Sequence, residues 1–213
     1  MKRILLLVSI CYSMVSTAHQ HNWELKKQDG ALKIYTGTAE VSKVKALKVE
    51  YILNASLSTF AATLLDVEGQ AAWVYSTKSS SLLKRVNDSE FIAYSEKVMP
   101  TPFSNRDLIT KVHMHQDPAT KVLTINVLGL PNYIPEKDGL VRVPMARARW
   151  TLTPISSNQV KVEYIAEAEP GGSIPAWVAN LFLLKGPTES FKRLSAIVQQ
   201  PKYRNATVSF IEN

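Results

Sequence analysis

The chain has 213 residues, 46% hydrophobic and 20% charged, with a formal net charge of +7, which supplies one domain with its own core and argues against disorder. One cysteine excludes a disulfide framework, and the absence of Lys/Arg runs interleaved with aromatics argues against a nucleic-acid partner. The positive balance favours either an acidic surface, such as anionic lipid headgroups, or simple solubility.

Lys2 and Arg3 precede an apolar run from Ile4 to Tyr12, and Ser16-Thr17-Ala18 offers the small residues that a signal peptidase reads. The expectation is export, periplasmic or secreted, with residues 1–18 a signal peptide and residues 19–213 a single domain. As a membrane anchor the run falls short of the ~20 residues that span a bilayer. Ile10 before the lone Cys11 is a poor lipoprotein processing site, so cleavage would remove the only thiol. Loss of Lys2 and Arg3 lowers the formal charge from +7 to +5.

Residues 23–27 read as a short opening helix, and Asp29-Gly30 as a turn into a strand at 31–36. Between 43 and 52 the alternation changes phase, Val44 and Ala46 giving way to Leu47, Val49 and Tyr51, which a bulge near Ala46 would reconcile. Leu57, Phe60, Ala61, Leu64 and Leu65 have the spacing of an amphipathic helix capped by Ser56 and ending near Gly69, and a second short helix carries Trp73. Strands follow at 81–86, 91–99, 107–115, 122–128, 141–153 and 160–169, with hairpin turns at Asn87-Asp88 and Asp117-Pro118.

In the last strand Val160, Val162, Tyr164, Ala166 and Ala168 share one face, while Lys161, Glu163, Glu167 and Glu169 fall mostly on the other. One face is therefore wet, and Arg147 and Arg149 on the preceding strand are placed to pair with acids across it. The closing helix starts at Ser173, with its hydroxyl as cap and Pro175 in the first turn. Val178, Leu181 and Phe182, then Phe191, Leu194, Ile197 and Val198, form its apolar stripe, which Gly186-Pro187 should kink or break. The pattern is α+β: a long antiparallel sheet closed by a late helix.

Common catalytic signatures, including G-x-S-x-G, H-E-x-x-H, G-x-x-x-x-G-K-[ST] and G-x-G-x-x-G, do not occur. His113 and His115 alternate with Val112 and Met114 and should face solvent beside Lys111, so no metal site is assigned to them. At a new N-terminus His19-Gln20-His21 would offer nitrogens in a square plane to Cu(II) or Ni(II), or be an incidental tail. Asp107, Asp138, Glu96 and Glu163 show no spacing that converges two acids. No catalytic residue and no cofactor is assigned. Asn54, Asn87 and Asn205 head Asn-x-Ser/Thr triplets, but the leader is bacterial in character.

Three stretches then occur in a telling order: "TPFSNRD" at 101–107, "NVLGLPNYIPEKDGLVRVPMARARWTLTP" at 126–154 and "VEYIAEAEPGGSIPAWVAN" at 162–180. With Trp23, "DGALKIYTG" and "KVKALKVE" upstream, the chain resembles START domains, the lipid-transfer fold related to steroidogenic acute regulatory protein. The resemblance implies a helix-grip fold: a curved antiparallel sheet wrapped around a long C-terminal helix, with an internal hydrophobic tunnel for one lipid. It implies a non-enzymatic carrier that is monomeric and touches membranes transiently.

An apolar tunnel needs an apolar lining. On the strands the candidates are Val98, Leu108, Val112 and Met114, then Ile125, Val127, Trp150 and Leu152; on the helix they are Val178, Leu181 and Phe182. By resemblance the 129–135 loop gates entry through Leu130, Tyr133 and Ile134, with Trp177 on the lid helix; packing of that loop on the neighbouring strand is the competing expectation. Arg106 and Asp107 match the family's Arg-Asp pair and are expected in a structural ion pair or loop anchor. Sterol-carrying relatives place an arginine where this chain has Val112, which argues against sterol recognition by a buried charge. Two other readings stay open: a helix-grip enzyme, hydrolase or cyclase, using Tyr94, Tyr164, Arg142 and Asp107, and a module that binds a hydrophobic peptide.

Overall fold

A computed structural model describes residues 22–40, 42 and 44–213. The expected signal peptide, its cleavage point and His19-Gln20-His21 lie outside the described residues. The strands are β1 (Glu24–Asp29), β2 (Leu32–Gly37), β3 (Ala46–Leu53), β4 (Thr77–Asn87), β5 (Glu90–Lys97), β6 (Arg106–Gln116), β7 (Leu123–Gly129), β8 (Val141–Arg142), β9 (Met145–Ser156) and β10 (Gln159–Glu169). Nine of them form an antiparallel path in the order β1-β2-β3-β10-β9-β7-β6-β5-β4, and β8 lies parallel to β6. The helices are α1 (Leu57–Leu65), α2 (Gln70–Trp73), α3 (Ala176–Asn180), α4 (Gly186–Ile197) and α5 (Pro201–Arg204). A π-helical turn, Leu181–Lys185, joins α3 to α4, so residues 176–197 form one continuous rod gripped by the curved sheet.

Local chemistry explains most of these boundaries. Ser56 caps α1 by accepting a hydrogen bond from the Thr59 amide at 3.1 Å, a contact of about 1 kcal/mol. Asp117 holds the β6–β7 turn by accepting from the amides of Ala119 and Thr120 at 2.9 and 2.7 Å. Glu167 and Arg147 face each other across β10 and β9 and pair at 3.0 Å on the outer face.

Five expectations need correction. Residues 23–27 do not open a helix: β1 is an exposed edge strand with one apolar residue, Leu25, and the free edge of β2 templates its backbone. Gly37 lets the Trp23 ring close over β2, where any Cβ would meet it at 2.7 Å. The β2–β3 register is continuous from Lys33↔Glu50 to Gly37↔Ala46, so there is no bulge near Ala46; the strand begins there. Pro144 splits the 141–153 strand into β8 and β9, since its missing N–H interrupts the ladder. Ser173 does not cap the last helix, because Gly171 and Gly172, at φ +71° and +62°, turn the chain first and Pro175 precedes the first helical residue.

The fifth correction concerns Gly186-Pro187, which neither breaks nor ends the rod. Immediately upstream the ladder widens, with the Gly186 amide donating to the Leu181 carbonyl five residues back. Pro187 thus falls in the first turn of α4, where an absent N–H is tolerated. Below the C-terminal turns of α4 the molecule is solid: Leu57 and Phe60 of α1, Leu123, Leu152 and Val160 of the sheet and Leu194 are all essentially inaccessible. Each such side chain contributes roughly 1.5–3 kcal/mol.

Candidate functional site

Strand pairing arranges the inner face into rows of side chains. One row crosses the sheet as Val49, Tyr164, Trp150, Ile125 and Met114, and the next as Leu47, Ala166, Ala148, Val127, Val112 and Phe91. In the first row Trp150 fills the interior, with ring centroids 4.2 Å from Tyr164, 5.3 Å from Phe60 and 5.6 Å from Phe191. In the second row alanines replace rings, and the following pair is Ala168 and Ala146. Two chambers of about 380 and about 250 Å³ open beside this region, with Ala166 and Ala168 among their lining. They share Leu47, Lys97, Leu108, Ala168 and Phe182, and so form one tunnel.

The rod roofs the smaller chamber with residues of its first half and the larger one with Phe182 and the first turns of α4, Gly186, Pro187, Ser190 and Phe191, and seals the solid end with its last turns. Phe182 borders both chambers, and Ala179 and Leu183 border the smaller one. Further along, the Ser190 hydroxyl accepts from the Tyr75 amide at 2.9 Å, and Ser195 shares a 2.6 Å hydrogen bond with the Tyr51 hydroxyl. Residues 98–105 and 170–174 flank the smaller chamber, through Met99, Pro170 and Ile174. Val98 and Trp177 stand exposed there, at 43% and 52%, with the Trp177 ring 6.1 Å from Phe103.

The structure brings together some of the expected lining and not the rest. Leu108, Val112, Ile125, Val127, Trp150 and Phe182 border the chambers. Met114 and Leu152 face inward but lie in the solid core, one step too far along their strands. Val98 faces solvent, because the inward phase of β5 is Phe91, Ala93, Ser95 and Lys97. Val178 is buried without bordering a chamber, and Leu181 is half-buried and borders none.

The 129–135 loop lies outside the tunnel. Leu130 and Ile134 pack on Ile92, Tyr94 and Ile109 of the outer face, as the competing expectation had it, while Tyr133 is exposed. Arg142 fastens this loop by donating to the carbonyls of Ile134 and Pro135 at 3.0 and 3.1 Å and to that of Pro131. Its guanidinium meets the Asp107 carboxylate through two bonds of 2.8 and 3.0 Å, both side chains almost fully buried. Asp107 therefore pairs with Arg142 and not with its neighbour. Arg106, on the opposite face of β6, is the loop anchor: it donates to the carbonyls of Ser104, Pro170 and Gly171.

Sequence reasoning missed one group with unusual electrostatics. Lys97 borders both chambers, and its ammonium donates to the Thr77 hydroxyl at 2.6 Å. Burial pushes its pKa from the ordinary 10.5 down to about 8. The cue was its place in the inward phase with Phe91 and Ala93, hidden by the apolar Ile92 and Tyr94 on the outer face. Tyr164, also in the wall, is pushed up to about 12 by burial. Of the four groups an enzyme would have to converge, only Tyr164 borders the tunnel, because Tyr94, Asp107 and Arg142 belong to the outer face. Among the described residues no cluster of His, Cys, Asp and Glu has metal-binding geometry.

Comparison with known proteins agrees with this geometry. The START domain family model matches residues 13–204. An uncharacterized protein of Pseudomonas aeruginosa is 31% identical over 199 residues, covering 93% of this chain and 97% of that one. Phosphatidylcholine transfer protein of Rattus norvegicus is 25% identical over 164 residues, 75% of each chain. The STAR-related lipid transfer protein from Xanthomonas axonopodis superposes with a TM-score of 0.76 at 32% identity, over 84% of this chain and 99% of that one. Human StAR-related lipid transfer protein 5, at 14% identity, shares the fold with a TM-score of 0.74, over 84% of this chain and 86% of its own. With the family model spanning nearly the whole described fold, the chain belongs to the START domain family.

Proposed function

We propose that this protein is an exported lipid carrier, a monomer that holds one hydrophobic ligand in the tunnel and exchanges it at a membrane surface. The observation that carries the reading is the space between Ala166 and Ala168 of the sheet and the rod, roofed by Ala179, Phe182 and Leu183 instead of being packed shut. Transfer of a tail into it is favourable by about 0.8 kcal/mol per buried CH₂. Membership in a family that includes lipid transfer proteins supports the same reading. The gate in this proposal is the first half of the rod together with residues 98–105, where Trp177, Phe103 and Val98 offer an apolar edge to a bilayer. The 129–135 loop serves as a fixed strut on the far side.

The test is transfer of a fluorescent lipid between donor and acceptor vesicles by wild type and Ala166→Phe. A ring at this position occupies the space of at least two methylenes, so transfer should fall by about tenfold or more, with circular dichroism unchanged. Transfer by Ala166→Phe at the wild-type rate would contradict the carrier reading. Export rests on the basic, apolar and small-residue signature of residues 1–18. In cells expressing the full chain it predicts recovery in the periplasmic or culture fraction, shortened to begin at His19; a full-length cytoplasmic product would contradict it.

A further inference from the structure

Lys97 occupies a costly position. It lies directly opposite Arg106 in the β5–β6 register, and both side chains border the smaller chamber. Like charges in this arrangement repel, and among the described residues neither forms an ion pair with a carboxylate. Lys97 has the Thr77 hydroxyl as its hydrogen-bond acceptor, and Arg106 has three backbone carbonyls. An ammonium carries three donors, so Lys97 has capacity left for a ligand. Glu167 borders the chamber as a residue but turns its carboxylate to the outer face, where Arg147 and the Glu40 amide engage it. Lys45 adds another cation at the rim. In the wall of the larger chamber the Trp73 indole N–H is buried with no acceptor. Cationic donors thus stand in the smaller, mostly apolar chamber, while Gln70, Ser95, Thr110, Tyr164 and Ser190 add polar groups to the larger one.

We propose that the tunnel is selective for amphiphiles with an anionic head, a carboxylate or a phosphate monoester, bound by Lys97 with Arg106 opposite it while a single hydrophobic tail runs through both chambers. The inference rests on the carrier reading and sharpens it to a ligand class. A lone buried cation is an energetic cost in the empty protein that a bound anion offsets. The chambers' sizes, at the lower end for small-molecule sites, suit one tail. The depressed basicity of Lys97, with a pKa of about 8, is what the ligand-free site should show; an anion held against it raises that value. Arg106, Lys45 and Glu167 are the other charged groups that border the chamber with it.

The experiment is displacement of a fluorescent fatty-chain probe by palmitate, by hexadecyl lysophosphatidate and by hexadecanol, using wild type and Lys97→Met. Wild type should prefer at least one anionic competitor over the alcohol by about tenfold or more, the worth of one charge-assisted hydrogen bond. Which anion wins distinguishes carboxylate from phosphate. Lys97→Met should abolish the preference, the anionic competitors losing about tenfold or more relative to hexadecanol measured on the same variant. Equal displacement by anions and alcohol in wild type, or a preference that survives Lys97→Met, overturns the proposal while leaving the carrier reading intact. Failure of the probe and all three competitors to bind overturns both. Should Lys97→Met not fold, wild type alone decides with hexadecyl sulfate, whose charge is constant: its preference over the alcohol should shrink as pH rises from about 7 to about 10, and a flat profile counts against the proposal.

Discussion

Lys97 is half-buried in the chamber wall and Asp107 is fully buried, and the fold treats the two charges in opposite ways. Asp107 has a bidentate partner in Arg142, whose own charge is stabilised first by that hydrogen-bonded carboxylate. Replacing it by Asn leaves Arg142 buried without a counter-ion, so Asp107→Asn should lose about 3–5 kcal/mol in urea unfolding. A loss within experimental error would mean that the pair does not hold the 129–135 loop. Lys97 lacks a carboxylate partner and binds its proton less tightly folded than unfolded. Ligand-free protein should therefore be least stable below about pH 8, the folded value, and gain stability as pH rises toward the unfolded lysine value of about 10.4. Tyr164, pushed up to about 12, acts in the other direction above about pH 10, where unfolded tyrosines ionise first. Lys97→Met should be more stable than wild type by roughly 1–3 kcal/mol at neutral pH and lose the rise between about pH 8 and about 10. Chemical-denaturation midpoints across that range test both points; an unchanged slope would contradict the assignment.

At the scale of the element, the last helix divides into a half that packs and a half that roofs. Residues 188–197 are tied to Tyr75, Tyr51 and Asp29 through Ser190, Ser195 and Lys192, although Ser190 and Phe191 also border the larger chamber, whereas residues 177–185 lie over the smaller chamber and include a π turn. Local opening is easiest where few side chains are packed. Amide hydrogen exchange in the ligand-free protein should be faster by about tenfold or more in 177–185 than in 188–197, and the gap should narrow when ligand binds. Equal protection in both halves would remove the lid from the account. The alternation of β10 and the stripe of the rod were readable as faces because each has one wet side. In β5 both faces are apolar from Phe91 to Tyr94, since the loop carrying Leu130 and Ile134 covers the outside. That covering concealed the phase and exchanged Val98 for Lys97. Periodicity also reports direction without depth, which is why Met114 and Leu152 had the right face and the wrong end. The π turn at 181–185 has no side-chain pattern of its own, and the bidentate Asp107–Arg142 pair joins residues 35 apart.

Taken whole, the molecule is solid at the end where α1, the C-terminal turns of α4, Leu123 and Leu152 meet, and hollow where Ala166 and Ala168 leave room under the lid. The family motifs in 101–107, 126–154 and 162–180 made the architecture legible, because they mark how the strands and the final helix connect. They did not make the proposed ligand class legible, because Lys97 and Arg106 come opposite each other only through the β5–β6 register. Native mass spectrometry of the freshly purified protein tests the central claim most directly. The account predicts a population carrying one hydrophobic molecule per chain, removable by delipidation and restored by incubation with lipid. A protein found only at its bare mass, and still bare after exposure to anionic and neutral amphiphiles, would contradict it.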